Sequence, residues 1–255
     1  MTRWGTTMRA SLLDSCFVNY GWHPNAKVRL FCFPYAGGSA AIFRHWSQHI
    51  PFEVCAVEYP GRGLRRSEPP ATRLSTLTRQ IVTAITPYLD RPFAVFGHSL
   101  GAFVSFEVLR RLKTAGAPDP VSLVVSGCRA PTVRARRRPA HALPEAEFIE
   151  ELRSLGGTPD EMLADRGLLQ LLLPTLRADF ETAETYVCKP GPRISCPMFA
   201  YGGIRDPDVA REDVEAWRDQ CSSRFHLRMF PGDHFFIHSA EMDLFHALSC
   251  DLLRG

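Results

Sequence analysis

The chain has 255 residues, 45% of them hydrophobic, enough to enclose a sizeable core, and one α/β-type domain spanning residues 1–255 is expected. Its 30 Lys and Arg against 27 Asp and Glu leave a formal charge of +3, a near balance that gives no reason to expect a nucleic-acid partner. Eight scattered cysteines show no CxxC pair and no zinc-like spacing, so buried free thiols are expected and a metal site is not.

The opening stretch MTRWGTTMRASLLDSCFVNYGW has no apolar core long enough for a secretory signal. Nor does any uninterrupted apolar run reach the roughly 18 residues that a membrane span needs. A cytoplasmic location is the expectation. The first predicted strand, Val28 to Phe33, leads into CFPYAGGSA, where Gly37 and Gly38 let the backbone fold closely on a neighbour. A phosphate loop would need a following Gly-Lys-Ser/Thr, which is lacking; a second oxyanion donor or a plain Gly-rich turn remains.

A second strand runs from Glu53 to Tyr59, and helical spacing covers Leu74 to Leu89. The third strand, from Phe93, ends in GHSLG, and helical spacing resumes over Leu100 to Ala115. A strand turning sharply into a helix strains the turn residue, and side chains two positions to either side collide unless they are very small. Gly97 and Gly101 meet that demand around Ser99, and the next amide, Leu100 N–H, sits at the positive end of the new helix. This arrangement suits a nucleophile whose attack creates an oxyanion. His98, inside the turn, is expected to shape it rather than to transfer protons.

After the strand Val121 to Gly127 the alternation breaks. Residues from about 130 to 190 contain helical patterns only, more than a connection needs. They read as a helical lid insertion or as extra core helices. The interval opens with the basic run RARRRP, Arg134 to Pro139, either a solvated loop or a surface for an acidic partner. A strand from Cys196 to Gly203 then leads to IRDPDV and helical spacing over Val209 to Gln220. The last strand, Phe225 to Phe230, leads to PGDHFF and a helix from Ala240 to Leu253. Most strands are too continuously apolar to have a wet face, as a doubly wound, mostly parallel sheet requires. There is no internal repeat or low-complexity segment.

A serine hydroxyl needs a base, and the base needs an orienting acid. In α/β-hydrolases these follow in the order Ser, acid, His, which points to Asp206 and His234 in loops at the carboxyl ends of successive strands. Asp208 and Asp233 stay open as alternative acids, and Asp206 could be a turn former before Pro207.

Taken together, FCFPYAGGSA, VEYPGRG, FGHSLGA, YGGIRDP and FPGDHFFI resemble the type II thioesterases, from about Val28 to about Leu253. These are stand-alone editing enzymes of polyketide, nonribosomal peptide and fatty acid synthesis. The resemblance implies the α/β-hydrolase fold with a lid, nucleophile Ser99, acid Asp206, base His234, and oxyanion donors on the backbone of Ala36 and Leu100. It implies hydrolysis of an acyl thioester on the phosphopantetheine arm of an acyl or peptidyl carrier protein, with no cofactor of the enzyme's own. A monomer without a nucleic-acid or membrane partner is expected. Two positions depart from many relatives: Tyr35 where they have His, and Asp233 where they have Gly. A general acyl-CoA thioesterase or carboxylesterase would use the same triad, while a non-catalytic binding protein of this fold would not need all five motifs.

Overall fold

In the computed structural model, residues 14–21 and 26–253 are described; the expectation drawn from the N-terminal stretch falls largely outside them. Seven strands form one sheet: β1 (Phe17–Asn19), β2 (Arg29–Phe33), β3 (Glu53–Val57), β4 (Phe93–His98), β5 (Leu123–Ser126), β6 (Met198–Gly203) and β7 (Phe225–Phe230). Their order is β1-β3-β2-β4-β5-β6-β7. Every neighbouring pair is parallel except β1 and β3. Strand β1 has no counterpart in the sequence reading, because three residues carry too little alternation to register.

The central strands are buried on both faces, and their side chains alternate between two cores as the pleat dictates. Phe31, Phe33 and Val95 face one core, closed by α1 (Leu74–Ile85) and α2 (Leu100–Thr114). Leu30, Cys32, Ala94 and Phe96 face the other, closed by Phe43, Trp46 and α8 (Glu241–Leu253). Helix α1 buries Leu74, Leu77, Thr78, Ile81 and Ile85, the three-and-four spacing that makes one apolar stripe. It stops at Ile85, short of the expected Leu89, because Pro87 has no N–H to bond the Thr83 carbonyl and continue the ladder; a 3₁₀ turn over Thr86–Tyr88 follows. The expected helix from Val209 divides into α6 (Arg211–Glu215) and a 3₁₀ segment, Ala216–Gln220.

Between β5 and β6 lie α3 (Glu145–Leu155), α4 (Asp160–Ala164) and α5 (Arg166–Glu184). They share a third apolar cluster that includes Phe148, Leu152, Leu163, Leu169 and Leu173. Gly156 closes α3 at φ 70°, a left-handed cap that costs glycine little. Helix α5 carries Pro174, which removes the N–H that would bond the Gln170 carbonyl. A short α7 (Phe236–Ser239) precedes α8.

All eight cysteines are free, six of them buried. Among the described residues no helix is long and apolar enough to cross a membrane. The chain leaves β2 toward β3 on one side and leaves β4 toward β5 on the other. Their carboxyl ends therefore diverge into a crevice, the place where open α/β sheets bind ligands.

Candidate active site

Ser99 stands at that crevice, between β4 and α2, with φ 54° and ψ −117°. Among the described residues it is the only non-glycine at positive φ. Backbone strain of this kind persists only where the surroundings enforce it, and here the glycines do so. A Cβ on Gly97 would collide with the Gly101 carbonyl and Ser105 Oγ, and one on Gly101 with the carbonyl oxygens of Phe33 and Pro34. The same close approach brings the start of α2 against the loop that follows β2. Ser99 N–H donates to the Ser126 carbonyl at 2.8 Å, fixing the turn to β5.

His234 and Asp206 meet across the loops after β7 and β6. Asp206 Oδ2 accepts from His234 Nδ1 at 2.7 Å, with the carboxylate side chain wholly buried and the imidazole 18% exposed. Asp206 Oδ1 accepts the amides of Asp208 and Val209 at 2.9 and 3.1 Å, so its plane is set before the imidazole arrives. The bond fixes the proton on Nδ1 and leaves Nε2 free to accept. The two rival carboxylates are engaged elsewhere: Asp208 pairs with Arg137, and Asp233 accepts its own loop's Phe235 amide at 2.8 Å.

His98 links the two halves of the site. Its ring is fully buried, with Nε2 at 3.0 Å from the His234 carbonyl and Nδ1 at 2.9 Å from Ser126 Oγ. A carbonyl only accepts, so Nε2 carries the proton and the Ser126 hydroxyl donates to Nδ1. Burial, reinforced by the neighbouring His234 and His238, holds this imidazole well below the usual histidine range. It is a neutral strut.

The loop after β2 passes beside Ser99. Gly37 N–H is taken by Asp179 of α5 at 2.7 Å and Gly38 N–H by the Tyr35 carbonyl at 2.9 Å. Among the described residues, no acceptor engages the amides of Ala36 and Leu100. Tyr35 packs edge-on against His98 and Phe235, and its hydroxyl lies 3.0 Å from His238 Nε2.

Ser99, His234, Ala36 and Leu100 line one cavity of about 390 Å³, whose wall includes Phe103, Leu152, Met162, Leu172, Leu176 and Phe180. Most of the wall comes from the interval between β5 and β6. Cys128 also reaches it, but burial pushes that thiol up to about 12, so it stays protonated at neutral pH. Of the arginines in RARRRP, Arg136 is held by Asp213 and Arg137 by Asp208 and Glu151, while Arg134 and Arg138 are exposed. Two residues that sequence reasoning missed, Arg62 and Asp179, pair beneath the Ala36 loop. A charge on the buried stripe of α5, between Leu176 and Thr182, was the available signal, since a buried carboxylate needs a partner.

A family model described as Thioesterase domain matches residues 28–248. The gramicidin S biosynthesis protein GrsT of Aneurinibacillus migulanus is 41% identical over 246 residues, which cover 96% of this chain and 96% of that protein. Thioesterase PikA5 of Streptomyces venezuelae is 41% identical over 233 residues, covering 90% of this chain and 83% of its own. Among solved structures, the type II thioesterase BorB from the borrelidin biosynthetic cluster superposes with a TM-score of 0.85 at 34% identity. That match covers 94% of this chain and 98% of BorB.

Proposed function

The chain belongs to the thioesterase family, and from that premise we propose that it is an editing type II thioesterase that clears acyl groups from carrier proteins of a polyketide or nonribosomal peptide synthase. The observation that carries the reading is that a strained, glycine-flanked Ser99 and an imidazole anchored through Nδ1 on Asp206 line one largely apolar cavity.

In this reading Ser99 Oγ attacks the thioester carbonyl carbon while His234 Nε2 takes the hydroxyl proton. The carbonyl oxygen becomes an oxyanion held by the Ala36 and Leu100 amides, and Asp206 stabilises the imidazolium. Collapse breaks the carbon–sulfur bond, and His234 returns the proton to the departing thiol. Water, deprotonated by the same nitrogen, then cleaves the acyl-serine and regenerates the hydroxyl. A thiol leaves readily, so orientation and oxyanion stabilisation carry most of the acceleration. The chemistry requires no metal or organic cofactor; the phosphopantetheine belongs to the carrier.

Helices α3 to α5 act as the lid in this reading and their apolar residues receive the acyl group, with the exposed Arg134 and Arg138 near an acidic carrier surface. The site of action is the cytoplasm, with the carriers it serves. The test compares short acyl groups on a carrier protein with the same groups on CoA. Contacts remote from the carbonyl help to position it, so kcat/KM is expected to be higher on the carrier. Equal values across several acyl groups and carriers would replace this reading with a general acyl-CoA thioesterase.

A further inference from the structure

Residues 34–38 are gripped at three backbone points by one buried cluster. Tyr59 hydroxyl donates to the Pro34 carbonyl at 3.2 Å, Arg62 Nη1 donates to the Gly38 carbonyl at 3.1 Å, and Asp179 accepts the Gly37 N–H at 2.7 Å. Arg62 and Asp179 hold each other in a two-pronged ion pair, at 2.5 and 2.7 Å, with side chains 8% and 4% exposed. The guanidinium also lies over the Tyr59 ring, 5.4 Å from its centroid. The Ala36 amide lies between the gripped points, and among the described residues no acceptor engages it.

A buried ion pair is a poor way to gain stability alone, since apolar residues of similar volume often do as well. Here the carboxylate lies one peptide from an amide that must face a developing negative charge. Unpaired, it would oppose that charge; paired, it fixes the Gly37 amide at little electrostatic cost. We propose that Arg62 and Asp179 are a positioning pair for the oxyanion hole: Asp179 sets the Ala36–Gly37 peptide through the Gly37 N–H, and Arg62 cancels the carboxylate's field there. Helix α5 is then a fixed part of the catalytic scaffold as well as a wall of the acyl cavity. Leu176 of the same helix packs against Gly37, whose φ of 77° a residue with a side chain rarely adopts.

The inference rests on the proposed serine mechanism but not on the identity of the acyl carrier, so it is measured on a p-nitrophenyl ester. Inhibition of the wild type by an alkylboronic acid, which forms an anionic adduct on serine, reports the mechanism; the variants report the pair. Arg62→Gln is expected to lower kcat about 100-fold with KM within about 3-fold, a loss like that of one oxyanion donor, and to weaken the boronic acid in parallel. Arg62→Lys, which keeps the charge but not the fork, should lose about 10-fold. Adding Asp179→Asn to Arg62→Gln should recover at least about 10-fold in kcat, because the opposing charge is gone while an acceptor for Gly37 remains. A folded Arg62→Gln protein with wild-type kcat overturns the proposal. So does a folded double variant no better than Arg62→Gln, or a loss confined to KM. Should Arg62→Gln fail to fold, Arg62→Lys carries the test: a kcat about 10-fold below the wild type with KM unchanged supports the pair's role, and a folded Arg62→Lys protein with wild-type kcat refutes it.

Discussion

Ser99 occupies a backbone conformation that an L-residue adopts only under constraint, and this gives its replacements separable effects. Both Ser99→Ala and Ser99→Gly remove the hydroxyl, and each should lower kcat by about 10⁴-fold or more. Only glycine relaxes φ 54°, so Ser99→Gly should be more stable than Ser99→Ala by about 1 kcal/mol, after its own cost in unfolded-chain entropy. Paired urea denaturations check this, and equal midpoints would mean the turn stores no strain. The orienting acid gives a second contrast. Asp206→Asn keeps the size but not the charge that fixes the His234 tautomer, with an expected loss of up to about 10⁴-fold in kcat. Asp233→Asn should cost far less, since that carboxylate accepts the Phe235 amide and makes no bond to the ring. A severe defect at 233 alone, in steady-state kinetics on folded protein, would reverse the assignment. Ser99 was legible because its glycines must sit two residues to either side. The choice of Asp206 over Asp208 and Asp233 depends on which carboxylate the loop backbone turns toward the imidazole, and spacing along the chain does not carry that direction.

The strands were read within a few residues where each is continuously apolar, because burial on both faces leaves one pattern. Boundaries failed where a local conflict decides them: Pro87 shortens α1, and the segment after Val209 tightens into 3₁₀ geometry. Helix α5 was legible as a helix of the lid interval, but its tie to the loop after β2 was not. Its Asp179 and Arg62 lie 117 residues apart, and no periodicity links them. Thr175 and Thr182 donate to the carbonyls of Gly61 and Ala71, so the helix is fastened to the loop after β3 along much of its length. Within the interval read as a lid, α3 and α4 have their apolar contacts mainly in the third cluster, whereas α5 is joined to the main sheet's loops by hydrogen bonds.

Across the whole molecule, the buried His98 ties stability to pH. Its neutral ring is wedged between β5 and the His234 loop, facing His234, His238 and Tyr35, and its pKa is depressed by burial and then by the two histidines. Above the unfolded value of about 6.5 both states are neutral there and the contribution is complete. As pH falls below 6.5 the unfolded chain takes up a proton that the native ring refuses, so stability falls by at most about 1.4 kcal/mol per pH unit from this group. Thermal midpoints between pH 7.5 and 5 should therefore decline, and His98→Asn, though less stable at pH 7.5, should decline less steeply. Parallel slopes would assign the acid sensitivity to other groups. The hydrogen bond from Gly37 to Asp179 has a consequence for redesign as well. Recombining specificity modules among relatives invites exchange of the whole interval between β5 and β6, yet such a cassette would carry away a tether of the recipient's own backbone. A safer seam lies between Ala164 and Asp165, since Asp165 caps α5 by accepting the amides of Gly167 and Leu168. Upstream of it a transplanted wall must still meet Arg177 and Glu184 of α5, which bond residues 140–143; downstream the helix must travel with its matching β2 and β3 loops or stay behind.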